Sequence, residues 1–350
     1  LMVLSIAVGV MALGVVSITY VIVTRDLPAS YRAAHPASAR LYAEPFDDAL
    51  VAAVRAMPGI GAAEGRRTVT ARVAVQPAAG GSIQWRDIDL FAAPDFAALA
   101  INRLTPEQGA WPPGERDILI ERAAMGLIGA RIGDKLLIRL PNDVERELTI
   151  TGVVHDITQS SARFVNRIYG YISFDSLEWL GMPETYTELQ IVVAENPLDQ
   201  AHVTALAAQV RERVEKSGRT VFWVQVPQPG KHPFERFVAP MALLLSALGL
   251  LALLLSGLLV VNTISALLAQ QVRQIGVMKA IGARTRQIAG LYLGMVLVLG
   301  LLALGIALPA GMTAARAITG VLAGLINFDI TTFAMPLWVW GLQAGAALLA

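Results

Sequence analysis

The side chains that most often carry catalysis or bind metals are few in this sequence and stand far apart. Cysteine is absent, which excludes disulfides, thiolate zinc sites and cysteine nucleophiles. The four histidines lie outside any H-x-x-x-H or H-x-E context that suits a metal; they are His35, His155, His202 and His232. We expect each of them to be a surface histidine or a histidine whose hydrogen bonds are satisfied.

Two signatures of catalysis are also missing from the sequence. It has no G-x-S-x-G nucleophile elbow. It has no G-x-x-x-x-G-K-[ST] phosphate loop either, because Gly276 and Gly282 are not followed by the required Lys-Ser/Thr pair. The sequence therefore predicts no catalytic residue, no metal ligand and no cofactor in this chain, and excludes ATP hydrolysis through such a loop.

The most informative charges lie in a short link between two long apolar runs. Four basic residues occur between Asn262 and Ile288 with no acidic residue among them, and they are Arg273, Lys279, Arg284 and Arg286. Short loops rich in lysine and arginine stay on the cytoplasmic side of a membrane. The link, residues 266–287, is therefore predicted to be cytoplasmic.

The same link has the spacing of an amphipathic helix. Leu268, Val272, Ile275, Met278 and Ile281 follow one another at intervals of four, three, three and three residues, which places them on one helical face. Two interpretations remain open. The helix lies among anionic lipid headgroups, or its apolar stripe docks into a groove of a cytoplasmic partner.

The end of this helix and the start of the next are also indicated by the link. Gly282 and Ala283 are a predicted break, since glycine often follows the last helical residue. Thr285 is the predicted cap of the following helix.

Apolar runs without charge indicate an integral membrane protein. The chain is 55% hydrophobic and 16% charged, whereas a soluble domain carries about 25% charged residues. A membrane helix needs about 20 apolar residues, and the predicted spans are residues 1–24, 237–265, 288–313 and 333–350. Since both ends fall inside apolar runs, we expect a piece of a longer protein. A signal peptide explains residues 1–24 less well, because its apolar core spans only about 7–15 residues.

The cytoplasmic link fixes the predicted topology of the other segments. Residues 25–236 form one large extracytoplasmic domain, and residues 314–332 form an outer loop. That domain holds 23 of the 28 basic and 26 of the 27 acidic residues, a net charge of −3 that gives no reason to expect nucleic-acid binding. Arg316 and Asp329 fall in the predicted outer loop, so no ionisable residue is expected at mid-membrane, where it would mark a proton or ion path.

Glycines are spread along the third predicted span. Their spacing suits close packing of helices, and this structural role is favoured over a transport path; they are Gly290, Gly294, Gly300, Gly305 and Gly311.

The large domain has the pattern of an α+β fold. Alternating apolar residues predict strands at residues 68–75, 83–91, 187–194 and 220–226. Apolar stripes predict helices at residues 46–57 and 201–216, and Asp175 with Glu178 predicts a capping box over a short helix before Gly181. Residues 117–156 are predicted to form strand, short helix, strand and strand with tight turns. The irregular alternation favours two subdomains.

Three stretches carry a resemblance to a known family. "RQIGVMKAIGARTRQI" resembles the cytoplasmic coupling segment of FtsX/MacB-like permeases, also called type VII ABC transporters. "LIERAAMGLIGARIGDKLLIRL" followed by "TITGVVHDI" is similar to part of the MacB-like periplasmic core domain. "LSIAVGVMALGVVSITYVIVTRDL" looks like the first helix of the long members, which carry two such halves in one chain.

The resemblance implies a four-helix permease half in the bacterial plasma (inner) membrane. Its expected partners are a cytoplasmic ATP-binding subunit that holds ATP and magnesium, a second permease half or copy, and membrane lipids. An extracytoplasmic adaptor or a substrate protein is a further candidate. ATP-driven motion would pass through the coupling segment to the external domain, for efflux or release of lipoproteins, peptides, small toxic molecules or cell-wall enzymes.

The resemblance also assigns roles within the coupling segment. Val272, Ile275 and Met278 would supply the apolar contact with the ATPase. Arg273, Lys279 and Arg286 would supply charge contacts or lipid anchoring, and Gly276 and Gly282 would allow close approach or end the helix. Many members have glutamate where Gln274 stands here, so an ion pair from that position is not expected.

Two other functions are compatible with part of this pattern. A sensor receptor also has a helix, an external ligand-binding domain and a second helix, but it would continue into a cytoplasmic signalling module after residue 265. A membrane-anchored enzyme would need a catalytic cluster within residues 25–236, and the sequence provides no such cluster.

Overall fold

The computed structural model describes residues 2–75 and 84–349, which fall into two compact units. The first, here the helical unit, comprises Leu1–Asp26, Phe234–Leu322 and Ile330–Ala350. The second, here the α+β unit, comprises Leu27–Pro233 and Ala323–Asp329. The predicted combination of apolar helices with an α+β domain is confirmed.

Helices and strands have the following bounds in the described residues. The helices are α1 Met2–Ala33, α2 Asp48–Arg55, α3 Arg122–Ile128, α4 Ala162–Val165, α5 Phe174–Trp179, α6 Gln200–Lys216, α7 Glu235–Gln270, α8 Val272–Ala280, α9 Thr285–Ile326 and α10 Leu337–Leu349. The strands are β1 Ala39–Phe46, β2 Ile60–Val75, β3 Gln84–Ala93, β4 Thr105–Gly109, β5 Asp117–Glu121, β6 Lys135–Arg139, β7 Glu145–His155, β8 Ile168–Ser173, β9 Tyr186–Val193 and β10 Val221–Gln225.

Three of the described helices are long and apolar enough to cross a membrane. They are α1, α7 and α9, with 32, 36 and 42 residues. The fourth predicted span corresponds to α10, whose 13 described residues are fewer than a span needs, so that span stays a prediction. Helix α9 continues to Ile326, and the segment predicted as an outer loop from residue 314 is therefore helical for most of its length. Its alanine- and leucine-rich sequence favours this continuation.

Small residues bring the helices of the helical unit close together. A Cβ at Gly9 would lie 3.3 Å from Leu253 Cα, and one at Gly300 only 2.8 Å from the Ala347 carbonyl oxygen. Such positions allow close approach of helix backbones. A Cβ at Gly311 would also have a neighbour within 4 Å. The other glycines predicted to pack have open space around an added Cβ, and they are Gly290, Gly294 and Gly305.

Strand β2 is shared by two sheets of the α+β unit. Its first half, Ile60–Arg66, pairs with β9 in a sheet of order β10-β1-β9-β2, against which α2 and α6 pack. Its second half, Arg67–Val75, pairs with β3. Since the two halves of one strand belong to different sheets, β2 joins the two subdomains that the sequence predicts. The Ile83 end of the predicted strand at 83–91 lies outside the described residues.

The second sheet closes on itself in the described residues. Pairings run from β2 through β3, β8, β5, β7 and β6 and back to β2, while β4 adds to β7 outside this ring. The closing contact is short, with Arg72 opposite Arg139 and Val73 opposite Ile138. Side chains fill the interior of this ring of strands, here including Val73, Leu90 and Ile150.

One local prediction in this unit is wrong. Asp175 does not cap the short helix before Gly181, because α5 begins one residue earlier, at Phe174. The cap is Ser173, whose hydroxyl accepts a hydrogen bond from Ser176 N at 3.1 Å. Asp175 instead lies in the first helical turn, where its charge favours the positive end of the helix dipole.

Candidate coupling segment

The predicted coupling helix forms a short separate helix in the helical unit. Helix α7 ends at Gln270, α8 runs over Val272–Ala280 and α9 begins at Thr285. Gln271 separates α7 from α8, and its side-chain oxygen accepts a hydrogen bond of 2.7 Å from the hydroxyl of Tyr292 on α9. This bond ties the start of α8 to α9 across 21 residues of sequence.

The end of α8 is a Schellman motif centred on a predicted glycine. Gly282 has φ +98, a left-handed conformation that glycine adopts at little cost. Its N–H donates to the Lys279 carbonyl at 3.0 Å, and Ala283 N donates to the Met278 carbonyl at 3.0 Å. These two bonds satisfy carbonyls that a helix end leaves without partners. The predicted break at Gly282-Ala283 is confirmed, and α9 begins at Thr285 instead of being capped by it.

No residue of α8 is buried within the chain. Ile275 and Met278, predicted to contact a partner, are half-buried, whereas Val272 is 65% exposed. Val277 and Ile281 are also exposed, at 55% and 81%. Val277 lies outside the predicted apolar stripe, so reasoning from periodicity missed it. Large apolar side chains left exposed together mark an interaction surface.

The cationic side chains of the segment are exposed as well. Arg273, Lys279, Arg284 and Arg286 all lie at the surface. The segment from Asn262 to Ile288 supplies no carboxylate that could neutralise them. Their positive charge is therefore available to an acidic surface or to anionic headgroups.

Gly276 lies in the exposed part of α8 with open space around it. A Cβ added there would meet no atom within 4 Å. Packing within the chain therefore gives no reason for a glycine in this helix, where it costs about 1 kcal/mol relative to alanine. The open position leaves room for another backbone to approach α8 closely.

The surface of this segment combines exposed apolar side chains, an open glycine and positive charge. Among the described residues, no group of His, Asp and Glu side chains is arranged to hold a metal ion.

The α+β unit contains a cluster of polar side chains that the sequence did not predict. Arg122 Nη1 donates to Glu107 at 2.7 Å and to Asp329 at 2.6 Å, and its Nε donates to Asn327 Oδ1 at 3.0 Å. Its Nη2 lies 3.2 Å from Nε2 of His155, which is buried. Burial lowers the pKa of Arg122, but the hydrogen bonds that it donates to Asp329 and Glu107 outweigh this effect and raise its pKa.

Asn327 connects this cluster to buried carboxylates. Its side-chain amide donates to Glu121 Oε1 at 2.8 Å and to the Asp156 carbonyl at 3.3 Å. The Asp156 carboxylate accepts hydrogen bonds from Thr158 and from Tyr171, whose pKa burial raises well above its usual value. These residues lie far apart in sequence and carry no motif, so only the folded chain shows them together. The charges of Arg122 and the amide of Asn327 are paired, which stabilises the unit, whereas Nδ1 of the buried His155 has no hydrogen-bond partner among the described residues.

Comparison with known proteins bears on the helical unit first. Residues 246–350 match the family described as FtsX-like permease C-terminal. The C-terminal part of the chain is therefore similar to FtsX-like permeases. The match includes α8 and all eight residues proposed for coupling; it does not assign roles to them. No curated relative matches the chain.

Three solved structures are similar to part of this chain. The periplasmic region of MacB from Actinobacillus actinomycetemcomitans matches with 10% identity and a TM-score of 0.37, covering 56% of this chain and 91% of that one. The extracellular domain of the noncanonic ABC-type transporter YknZ from Gram-positive bacteria matches with 10% identity and a TM-score of 0.35, over 53% and 98%. A domain of a putative permease from Porphyromonas gingivalis matches with 13% identity and a TM-score of 0.34, over 57% and 96%.

Proposed function

We propose that this permease transmits ATP-driven motion from a cytoplasmic ATPase, bound at α8, to its extracytoplasmic α+β unit. The bacterial inner membrane would hold α1, α7, α9 and the segment of α10. The work would be export or release of a substrate at the outer face. ATP and magnesium would be bound by the ATPase, and this chain would contribute no cofactor.

The exposed surface of α8 is the observation that carries this proposal. A helix lying only among headgroups would turn its apolar face to the acyl chains and its charges to water. Helix α8 instead exposes Val272, Val277 and Arg273 together, and no residue of the helix is buried in its own chain. A protein groove with apolar walls and acidic rims fits this mixture better than a lipid surface does.

The short length of α8 also suits transmission of force. Its nine residues are bounded by Gln271, which is tied to Tyr292, and by the Schellman turn at Gly282. A displacement of α8 would therefore be passed to α7 and α9 through fixed hydrogen bonds at both ends. A second permease half or copy would complete the assembly around the ATPase pair, with lipids or an extracytoplasmic adaptor as further partners.

Co-purification with the ATP-binding subunit tests the proposal. The full chain would be expressed with the ATPase encoded beside it, and Val272→Asp and Ile275→Asp variants would be purified in parallel. Placing a carboxylate in an apolar contact leaves a desolvated charge. We expect both variants to lose at least tenfold in complex yield and in permease-stimulated ATP hydrolysis.

The matched control places the same charge on an exposed apolar residue of the α+β unit. Phe222 is 68% exposed, close to the 65% of Val272, and Phe222→Asp is expected to leave complex yield unchanged. If the α8 variants retain the complex while the chain stays folded and inserted, α8 is not the docking site. Loss of the complex in the Phe222 variant would point to a general defect instead.

A further inference from the structure

The α+β unit has a cavity of about 540 Å³, which is separate from the Arg122 cluster and from the coupling segment. This volume lies within the range of about 300–1,000 Å³ typical of small-molecule sites. Its walls come from the end of α1, the adjoining ends of β2 and β9, the segment before β4 and the loop before α7. The lining residues include Arg32, His35, Ile101, Arg103, Val192 and Leu198.

The charged side chains that line the cavity are cationic. Arg32 and Arg103 contribute to its walls together with His35, and none of the described aspartates or glutamates does. Arg32 Nε donates to the Pro28 carbonyl at 3.1 Å, and neither arginine forms an ion pair with an acidic side chain in the described part of the chain. The carboxylate of Glu64, close in the fold, already accepts hydrogen bonds from the backbone of Ala100 and Ile101. The cavity therefore presents two uncompensated guanidinium groups.

The remaining lining is mainly apolar. It includes Ile101, Val192 and Leu198 together with alanines and prolines. Leu198 lines the cavity and is 74% exposed, so its side chain is accessible to a ligand. Gly230 in the facing loop has φ +68, and a Cβ there would lie 2.9 Å from Leu198, so the loop approaches this side chain closely.

Buried hydrogen bonds hold the charged wall in place. Asn102 is fully buried, and its side chain accepts from Ala37 N at 3.0 Å and donates to Gln190 at 2.8 Å. The guanidinium of Arg66 donates to the Ile101 and Asn102 carbonyls at 2.6 and 3.0 Å. Arg103 N donates to the Ala34 carbonyl at 2.8 Å. A wall fixed in this way is ordered before any ligand arrives, which lowers the entropic cost of binding.

We propose that this cavity binds a small organic anion with an apolar body, such as an alkyl carboxylate. Arg32 and Arg103 would hold the anionic head, because guanidinium groups form strong charge-assisted hydrogen bonds with carboxylates. The aliphatic lining around Leu198 would cover the apolar body and so remove it from water. The inference goes beyond the coupling function and does not depend on docking at α8.

Photolabelling of the full chain in lipid nanodiscs tests this site. The probe is decanoate carrying a diazirine, and labelled peptides are located by mass spectrometry. We expect labels at residues 192–198 and 227–230 that unlabelled decanoate displaces. Exposed ion pairs contribute modestly, so each of Arg32→Gln and Arg103→Gln is expected to weaken labelling about threefold, and the double variant about tenfold.

Two matched controls make the outcome decisive. Arg213 is exposed on α6 away from the cavity, and Arg213→Gln is expected to leave labelling unchanged. The corresponding diazirine-bearing decanol has the apolar body without the charge and is expected to label these segments at least tenfold less. Labels confined to the membrane helices, equal labelling by the decanol probe, or full labelling of the double variant would each overturn the proposal. All these experiments omit the ATPase, so their result is separate from the coupling test.

Discussion

At the scale of single residues, burial decides what the few histidines do. The sequence predicts that each is exposed or satisfied. His155 contradicts this prediction, because it is buried and its Nδ1 has no hydrogen-bond partner among the described residues. His232 confirms the second case. It is buried, its Nε2 lies 3.2 Å from the Ile157 carbonyl, and its ring packs edge-on to Tyr31 with centroids 5.1 Å apart. Burial lowers its pKa to about 4, although the bond to Ile157 opposes this shift.

The lowered pKa of His232 predicts acid sensitivity of the α+β unit. The unfolded chain has the ordinary histidine pKa of 6.5 and binds a proton at higher pH than the folded chain. The stabilising effect of the neutral ring is therefore complete above pH 6.5 and is lost as the pH falls towards 4. A shift of this size corresponds to about 3 kcal/mol.

Urea unfolding of the α+β unit within the full chain, followed by tryptophan fluorescence at several pH values, measures this effect. His232→Gln removes the titration but keeps an N–H for Ile157. The difference in unfolding free energy between the two proteins should change between pH 6.5 and 4 and stay constant above pH 7. A difference independent of pH would show that His232 does not stay neutral in the folded unit.

At the scale of elements, local patterns predicted what local forces determine. The turn at Gly133 and Asp134, the short helix before it, the strand after it and the helix at residues 201–216 were predictable, because glycine turns and apolar periodicity are visible in the sequence. Strand β8 was missed because all six of its residues are buried, so it lacks alternation. The closing contact between β2 and β6 joins distant residues and leaves no sequence pattern at all.

For the candidate coupling helix, too, the sequence predicted the local features but not the exposure of individual side chains. Its basic charges, its break at Gly282 and its helical spacing followed from the sequence alone. Which apolar residues remain exposed did not, since Ile275 and Met278 are half-buried and Val277 is exposed. Exposure depends on how the neighbouring helices leave the membrane, and a periodic stripe carries no information about them.

The two glycines of the coupling segment are predicted to respond oppositely to alanine. Gly282 has φ +98, so Gly282→Ala strains the turn by about 1 kcal/mol. Gly276 lies within α8 in open space, so Gly276→Ala should stabilise the helix by a similar amount.

Hydrogen exchange of amides 275–283 in the reconstituted chain measures both effects. About 1 kcal/mol corresponds to roughly a fivefold change in the opening equilibrium, so exchange should be faster in the Gly282 variant and slower in the Gly276 variant. The two substitutions add the same methyl group, which makes each the control for the other. Equal shifts in one direction would mean that the Schellman turn does not hold the end of α8.

At the scale of the whole molecule, the asymmetric distribution of charge and the proposed coupling function require the same membrane topology. Outside residues 25–236 the chain carries five basic residues and one acidic residue, and four of the basic ones lie between Asn262 and Ile288. If this short basic segment stays in the cytoplasm, as its charge predicts, the large domain lies on the other side of the membrane. A coupling segment that meets a cytoplasmic ATPase requires the same arrangement, so one measurement bears on both.

Labelling of single cysteines tests this arrangement without a background, because the chain has no cysteine of its own. Gln209 is exposed on α6 and Gln274 is exposed on α8, so Gln209→Cys and Gln274→Cys are chemically matched. A membrane-impermeant maleimide should modify Gln209→Cys in intact spheroplasts and Gln274→Cys only after permeabilisation. The opposite pattern would place α8 outside the cytoplasm, where no ATPase could reach it. Equal labelling of both positions in sealed spheroplasts would contradict a single orientation of the chain in the membrane. It would therefore also contradict the proposed coupling function.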